Sequence, residues 1–263
     1  MGAQDISWWD LSLGYILVLI PIIVFSYFKT GLVKPTLIAT ARMTVQLYLI
    51  GLYLEYIFTL NNIWINIGWV ILMVLIASFT AIKRSYLNRK IFLFPIFLSM
   101  LIVIFAVDFY FLGVVVKLDF LFDAKYFIPI TGMLIGNSMS NNIVAFNTYF
   151  DSLDKNQTQY KFALANGATK LEALKSFIKE ALVKSLSPTI ATTSVVGLIS
   201  LPGMMTGQIL GGQSPAVAIK YQIMIMITIL VTSMMTVILS ILISNRFIFD
   251  KMEMPLKNLY SGK

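Results

Sequence analysis

Residues 197–222 read GLISLPGMMTGQILGGQSPAVAIKYQ, and Lys220 is the one charge in the stretch. Gly203, Gly207 and Gly211 recur at every fourth position behind Pro202, with Met204, Met205 and Gln208 among the residues between them. In a water-soluble domain such a stretch makes a flexible loop. Here its neighbours are apolar windows about 20 residues long with at most one charge, the length a helix needs to cross the hydrocarbon core. If helical, the glycines offer a flat face for close backbone approach. If not, they supply turns with positive φ, and Pro202 favours a break or a new helix start. Two readings follow: an external loop of glycine turns, or a short re-entrant or extracellular helix pair.

The surrounding composition places the stretch in a bilayer. The 263-residue chain is 58% hydrophobic and 12% charged, with a mean hydropathy of +0.84. Soluble domains carry about 25% charged residues. The chain therefore reads as an all-α, polytopic membrane protein forming one transmembrane domain over 1–263. Seven spans fit, at 11–28, 39–60, 63–82, 91–116, 127–146, 186–201 and 221–243. Lys and Arg resist translocation. An outside N-terminus and an inside C-terminus put 17 of the 20 basic residues on the inner side, leaving Lys117, Lys125 and Lys220 outside. Trp8, Trp9 and Trp64 then fall at the outer interface, where indole rings prefer to lie. The net charge of +8 belongs to inner loops under this topology and does not point to nucleic acid. The acidic, aromatic start MGAQDISWWD lacks the basic region of a signal peptide.

The sizeable inner segment is 147–185. From Thr169 onward, Leu171, Leu174, Phe177, Ile178, Ala181 and Leu182 repeat with helical spacing. Thr169 and Glu172 have the spacing of a capping box. Gly167 separates this helix from a preceding turn at 160–166. Two short helices joined at a bend are expected, either as a solvated connector or as a docking element for a cytoplasmic partner.

Polar residues inside the spans are the candidates for function. Ser185, Thr189, Thr192, Thr193 and Ser200 form a stripe in the sixth span, and Thr228, Thr232, Thr236, Ser240 and Ser244 form a ladder at strict four-residue spacing in the seventh. Such stripes mean helix packing or a wet path. Glu55 and Asp108 are acids within apolar spans, where insertion costs about 2.5–3.5 kcal/mol each. Arg42 and Gln46 read as structural or lipid-facing anchors. Asn137, Asn141 and Asn142 lie near one another in the fifth span, which also holds the small pair Gly132 and Gly136. The candidate translocation path is Glu55, Asp108, Asn137, Asn141, Thr189, Thr193 and Thr232.

Cysteine and histidine are both absent, which excludes thiolate and imidazole metal sites. A metal would meet oxygen ligands or the sulfur of methionines such as Met133, Met139, Met204, Met205, Met224 and Met226. No phosphate-binding loop is present: GATK at 167–170 lacks the second glycine and the following hydroxyl.

Three motifs carry a resemblance. VGLISLPGMMTGQILGGQSPAVAIKYQI at 196–223 resembles the signature of the bacterial iron-export ABC transporter permeases, to which the plant aluminium-tolerance permeases are similar. Its characteristic residues are Pro202, Gly203, Met204, Met205, Gly207, Gln208, Gly211, Tyr221 and Gln222. IPITGMLIGNSMS at 128–140 and ANGATKLEAL at 165–174 resemble two further family segments. Together they cover the C-terminal half; the N-terminal spans match in layout. The resemblance implies a permease exporting iron, without cofactor or ATPase site of its own, paired with a second copy and with separate subunits that bind ATP and Mg. It also implies that Ala165, Asn166, Gly167, Ala168, Thr169 and Lys170 couple to the ATP-binding partner. Phe162 departs from the pattern, which places a glutamate there. The alternatives to iron export are export of a nucleotide sugar or other small organic solute, and a non-transporting membrane receptor or scaffold.

Overall fold

The computed structural model describes residues 5–250, 253–256 and 259. Lys251, Lys257 and Lys263, assigned above to the inner tail, lie outside the described residues. The described residues form helices and turns, with no β-strand among them. The helices are α1 (Trp8–Gly14), a 3-10 turn (Tyr15–Val18), α2 (Leu19–Tyr27), α3 (Val33–Leu60), α4 (Ile63–Arg84), α5 (Arg89–Asp108), a π-helical turn (Phe109–Val115), α6 (Ala124–Lys155), α7 (Gln157–Ala165), α8 (Lys170–Val195), α9 (Gly203–Leu210) and α10 (Pro215–Ser244).

Short polar residues start the long helices by satisfying backbone N–H groups that have no partner within the helix. Asn62, Asn88 and Asp123 accept from the second helical residue of α4, α5 and α6, at 2.9, 3.1 and 2.9 Å. Ser214 caps α10, whose first residue is Pro215. The α3–α4 connection is only Asn61 and Asn62. Asn61 adopts a left-handed φ of 38°, and its Oδ1 accepts from the Ala124 amide at 2.9 Å. That bond pins the hairpin to the start of α6.

Five helical stretches are long and apolar enough to cross a membrane: Trp8–Tyr27, Val33–Leu60, Ile63–Arg84, Arg89–Val115 and Pro215–Ser244. The expected spans 127–146 and 186–201 fall largely on α6 and α8, which are not among these five. Their polar residues explain the difference: α6 packs at the centre of the bundle, and α8 buries its first half against it while much of its second half is exposed. At the centre, α6 packs against α4, α8 and α10, and α10 packs against α5. Phe92, Phe146, Tyr149 and Phe150 fill the seam at one end, with the Phe92 and Phe150 rings edge to face at 5.1 Å.

The segment 147–185 differs from its expected form. α6 continues to Lys155, and the helix capped by Thr169 does not stop at 185 but runs unbroken to Val195. Pro188 lies inside it, where it removes one helical hydrogen bond. The span read at 186–201 ends early, because Gly197 takes a φ of +88° and turns the chain towards α9. Tyr149, Phe150, Leu153, Tyr160, Leu174 and Phe177 are all buried, so the segment is packed into the core and is no solvated connector.

The hydroxyl ladder of α10 is likewise internal. Thr228, Thr232, Thr236, Ser240 and Ser244 are all buried. Thr228 and Thr232 donate to the carbonyls of Met224 and Thr228 at 2.6 and 2.7 Å, which hides their polarity within their own helix. Thr236 accepts from Asn142 Nδ2 of α6 at 3.1 Å. Small side chains here let α10 approach its neighbours closely. Thr232→Leu overfills this seam and is expected to cost about 1–3 kcal/mol, read as a lowered thermal midpoint in detergent. Ile223→Leu, on the exposed face of the same helix, should leave the midpoint unchanged.

Candidate functional site

A cavity of about 500 Å³ opens between α6, α8, α10 and the start of α9. Asn137, Ser140 and Asn141 reach it from α6, Thr189 and Thr192 from α8, and Gln222 from α10. Pro202, Gly203 and Met204 close one side, and Met133 and Met226 add thioether sulfur. No charged side chain lines it.

Its polar groups are set by helix geometry. Asn141 and Thr189 meet across the α6–α8 interface, with Asn141 Nδ2 donating to Thr189 Oγ1 at 3.2 Å. Asn137 and Ser140 donate to the carbonyls one turn back, Met133 and Gly136, at 2.9 and 3.0 Å. Gln222 is buried, and its Oε1 has no protein hydrogen bond. A buried amide oxygen without a donor is costly, and here it belongs to a side chain that lines a cavity.

Of the sequence-read path residues, Asn137, Asn141 and Thr189 are brought together here. The other four are not. Thr193 donates to the Thr189 carbonyl at 2.8 Å and does not line the cavity. Thr232 is sealed in the α10 seam. Glu55 is exposed on α3. Asp108 is 2% exposed and accepts from Thr131 Oγ1 at 2.6 Å, but it opens on a separate pocket of about 310 Å³ walled by Phe105, Phe109 and Leu112. Among the signature residues, Pro202, Gly203, Met204 and Gln222 line the cavity. Met205 and Gln208 lie on α9 and Gly207 faces open space; Gly211 ends that helix, and Tyr221 stacks on Tyr126 at 6.5 Å. The stretch at 203–210 is therefore a short helix, and the left-handed turn falls at Gly212 with a φ of +94°. Ser140, Pro188 and Met226 also reach the cavity. Their spacing from Asn137, Thr192 and Gln222 is three to four residues, a periodicity that marks one face on each helix.

The bend between α7 and α8 is a second built feature. Gly167 takes a φ of +85°, its N–H donates to the Leu164 carbonyl at 3.0 Å, and the Ala168 N–H donates to the Ala163 carbonyl at 3.1 Å. This paired pattern is the Schellman ending of a helix. Thr169 then opens α8 with a complete capping box to Glu172. Ala165, Asn166, Gly167 and Thr169 are exposed, as is the Phe162 ring at 70%, while Ala168 and Lys170 are half-buried. Lys170 Nζ donates to the Asn245 carbonyl at 3.1 Å and sits 4.0 Å from the centre of the Phe249 ring. Burial moves the Lys170 ammonium below its usual pKa, and burial pushes the nearby Tyr160 phenol up to about 12. Tyr160 donates to the Glu253 carbonyl at 2.8 Å, so the tail after α10 braces the bend from both sides.

α8 links the two features. Lys170 and Thr189 lie on one continuous helix, about 28 Å apart along its axis. Ser152 of α6 donates to Glu180 of α8 at 2.6 Å, which ties the two cavity-bearing helices together below it.

A bundle of long apolar helices that encloses an uncharged polar cavity defines a multi-pass helical membrane protein. Residues 8–249 match the family described as UPF0014, an uncharacterised protein family, and the chain belongs to it. It is 34% identical over 220 residues to the UPF0014 membrane protein YjkA of Bacillus subtilis, covering 83% of this chain and 86% of that one. It is 31% identical over 225 residues to the protein named "Probable iron export permease protein FetB" of Escherichia coli, covering 86% and 85%. Protein ALUMINUM SENSITIVE 3 of Arabidopsis thaliana is 37% identical over 193 residues, covering 72% of this chain and 67% of that one. No solved structure matches the chain. The resemblance read from the three motifs is the family found, and the protein is a multi-pass protein of the cell membrane.

The capping box makes the bend acid-sensitive. Hydrogen bonds from the Thr169 side chain and then its backbone hold the Glu172 carboxyl below its usual pKa. A depressed carboxylate contributes stability above its unfolded pKa and loses it as pH falls through the folded value. Amide exchange at Ala168 and Thr169 should accelerate relative to the α8 interior as pH drops below about 4. Glu172→Gln, which keeps an acceptor for the Thr169 N–H, should show no such acid step.

Proposed function

We propose that this chain is the membrane subunit of an ABC exporter for iron, with seven spans, an outside N-terminus and an inside C-terminus. Two copies assemble with separate subunits that bind ATP and Mg. The chain contributes passage and coupling, and the partner contributes hydrolysis. The observation that carries the reading is the uncharged cavity walled by amide oxygens, hydroxyls and thioethers, in a family with a member named for iron export. Among the described residues, no group of three or more carboxylates could hold a metal ion. Neutral oxygen and sulfur donors bind a cation weakly, which suits a site that must also release it. A nucleotide sugar would bring a diphosphate, and the cavity offers it no cationic side chain.

The mechanism follows the α8 lever. ATP binding draws the partner subunits together and moves the bends seated on them. Gly167 allows the sharp turn, and the exposed Phe162 gives the bend an apolar contact where the family pattern has an acid. α8 carries that motion to Thr189, while the Ser152–Glu180 bond makes α6 and Asn141 follow. The outer half of α8 exposes the small residues Ser187, Ala191 and Ser194, a face that allows close helix approach and packs on the second copy.

Transport by the purified complex in lipid vesicles tests the cargo. ATP-dependent movement of ferrous iron, with none of a nucleotide sugar, is the expected result; the reverse would overturn it. Gly167→Trp tests the coupling. A side chain at a φ of +85° strains the bend by about 1–2 kcal/mol and blocks its seat, so stimulation of the partner's ATPase should be lost while the permease still purifies folded. Intact stimulation would remove the bend from the mechanism.

A further inference from the structure

Another pocket, of about 750 Å³, lies where α3 faces the end of α4 and the start of α5. Arg42 of α3, Lys83 and Arg84 of α4 and Arg89 of α5 converge on it, and Ile76 and Phe79 form its apolar wall. No carboxylate lines it, and none of these four cations makes an ion pair among the described residues. Four like charges around one space repel one another unless an anion lies between them.

The position of the pocket along the bundle defines the anion. α3 and α4 run antiparallel from the Asn61–Asn62 turn and touch near it, through Leu54, Ile57 and Phe58 against Trp69 and Met73. Ile57 is the one buried residue of α3, and near Arg42 the contacts of the helix are with the N-terminal helices, through Tyr15 on Thr44 and Trp8 on Tyr48, rather than with α4. Arg42 lies about 28 Å along α3 from the turn, and Arg84 about 33 Å along α4. The hydrocarbon core is about 30 Å thick. The cations therefore sit at the headgroup layer opposite Trp64, and Ile76, about 12 Å back along α4 from Arg84, faces the acyl region. Charge at headgroup depth above an apolar wall matches a glycerophospholipid. A free phosphate would meet the charges and leave Ile76 and Phe79 wet.

We propose that this pocket holds an anionic phospholipid whose phosphate is bound by Arg42, Lys83, Arg84 and Arg89, and whose chains fill the gap between α3 and α4. Tyr86, held at a φ of 55° in the α4–α5 turn, adds an exposed phenol beside the headgroup. The lipid joins α3 to the end of α4 and the start of α5, where protein contacts do not. This inference needs only the membrane position of the chain and is independent of the cargo.

The test is native mass spectrometry of the full chain in detergent, titrated with phosphatidylglycerol or phosphatidylcholine. Phosphatidylglycerol should be retained and phosphatidylcholine lost. Arg42→Gln with Arg84→Gln should weaken phosphatidylglycerol binding about 25-fold, at about fivefold per charge, with helicity by circular dichroism as the folding control. Arg42→Lys with Arg84→Lys should keep most of the binding. Arg89→Gln alone, about fivefold weaker, serves if the double variant does not fold. Equal retention of both lipids, unchanged binding in the glutamine variants, or displacement of the lipid by equimolar inorganic phosphate would each overturn the proposal.

Discussion

The bundle depends on one constraint: polar side chains within a membrane must find partners inside the protein. α6 and α10 meet it in part: Thr228, Thr232, Thr236 and Asn142 bond to carbonyls of their own helix or to each other, while the hydroxyls of Ser138, Ser233, Ser240 and Ser244 are buried in the same seam without a protein hydrogen bond. Asn142 does both, donating to the Ser138 carbonyl at 2.8 Å and to Thr236 at 3.1 Å. Because that seam is closed, α6 presents its remaining polar face, Asn137, Ser140 and Asn141, to the cavity. The packed seam and the cavity thus divide a single helix between two faces.

The second organising feature is continuity. α8 begins at the bend and ends beside the signature helix α9, so any displacement of its first turn reaches the cavity without crossing a hinge. Pro188 is its weak point, placed at the cavity and not between cavity and bend. The bend in turn is held by a left-handed glycine, a capping box and the tail residues Asn245, Phe249 and Glu253.

Much of this was legible in the chain itself. Hydropathy marked the apolar helices, the Thr169–Glu172 spacing marked the cap, and Gly167 marked the bend, since each signal is local. The packing role of the α10 ladder was one of two open readings, and burial decides it. Two features were not legible. The union of the 169–185 helix with the next span hides behind Pro188, a residue that ordinarily signals a break and here sits within a supported helix. The partition of path residues was also hidden. Thr193 and Thr232 carry the same hydroxyl as Thr189, and only the rotation of each helix, set by tertiary packing, decides which one meets the cavity. Asp108 and Glu55 share a charge type with very different surroundings for the same reason.

The neutral wall of the cavity has an electrical meaning. A lining without charged side chains gives a cation no counter-charge to hold it there, and the electrical work of crossing the membrane would be set by the valence of the solute alone. That field is worth about 2.3 kcal/mol per elementary charge for every 100 mV. An uncharged solute would feel nothing of it, whereas a cation leaving a negative interior would climb it at every step. Resting voltage would thereby load a charged solute and not a neutral one, a difference set by the solute's valence and not by the lining.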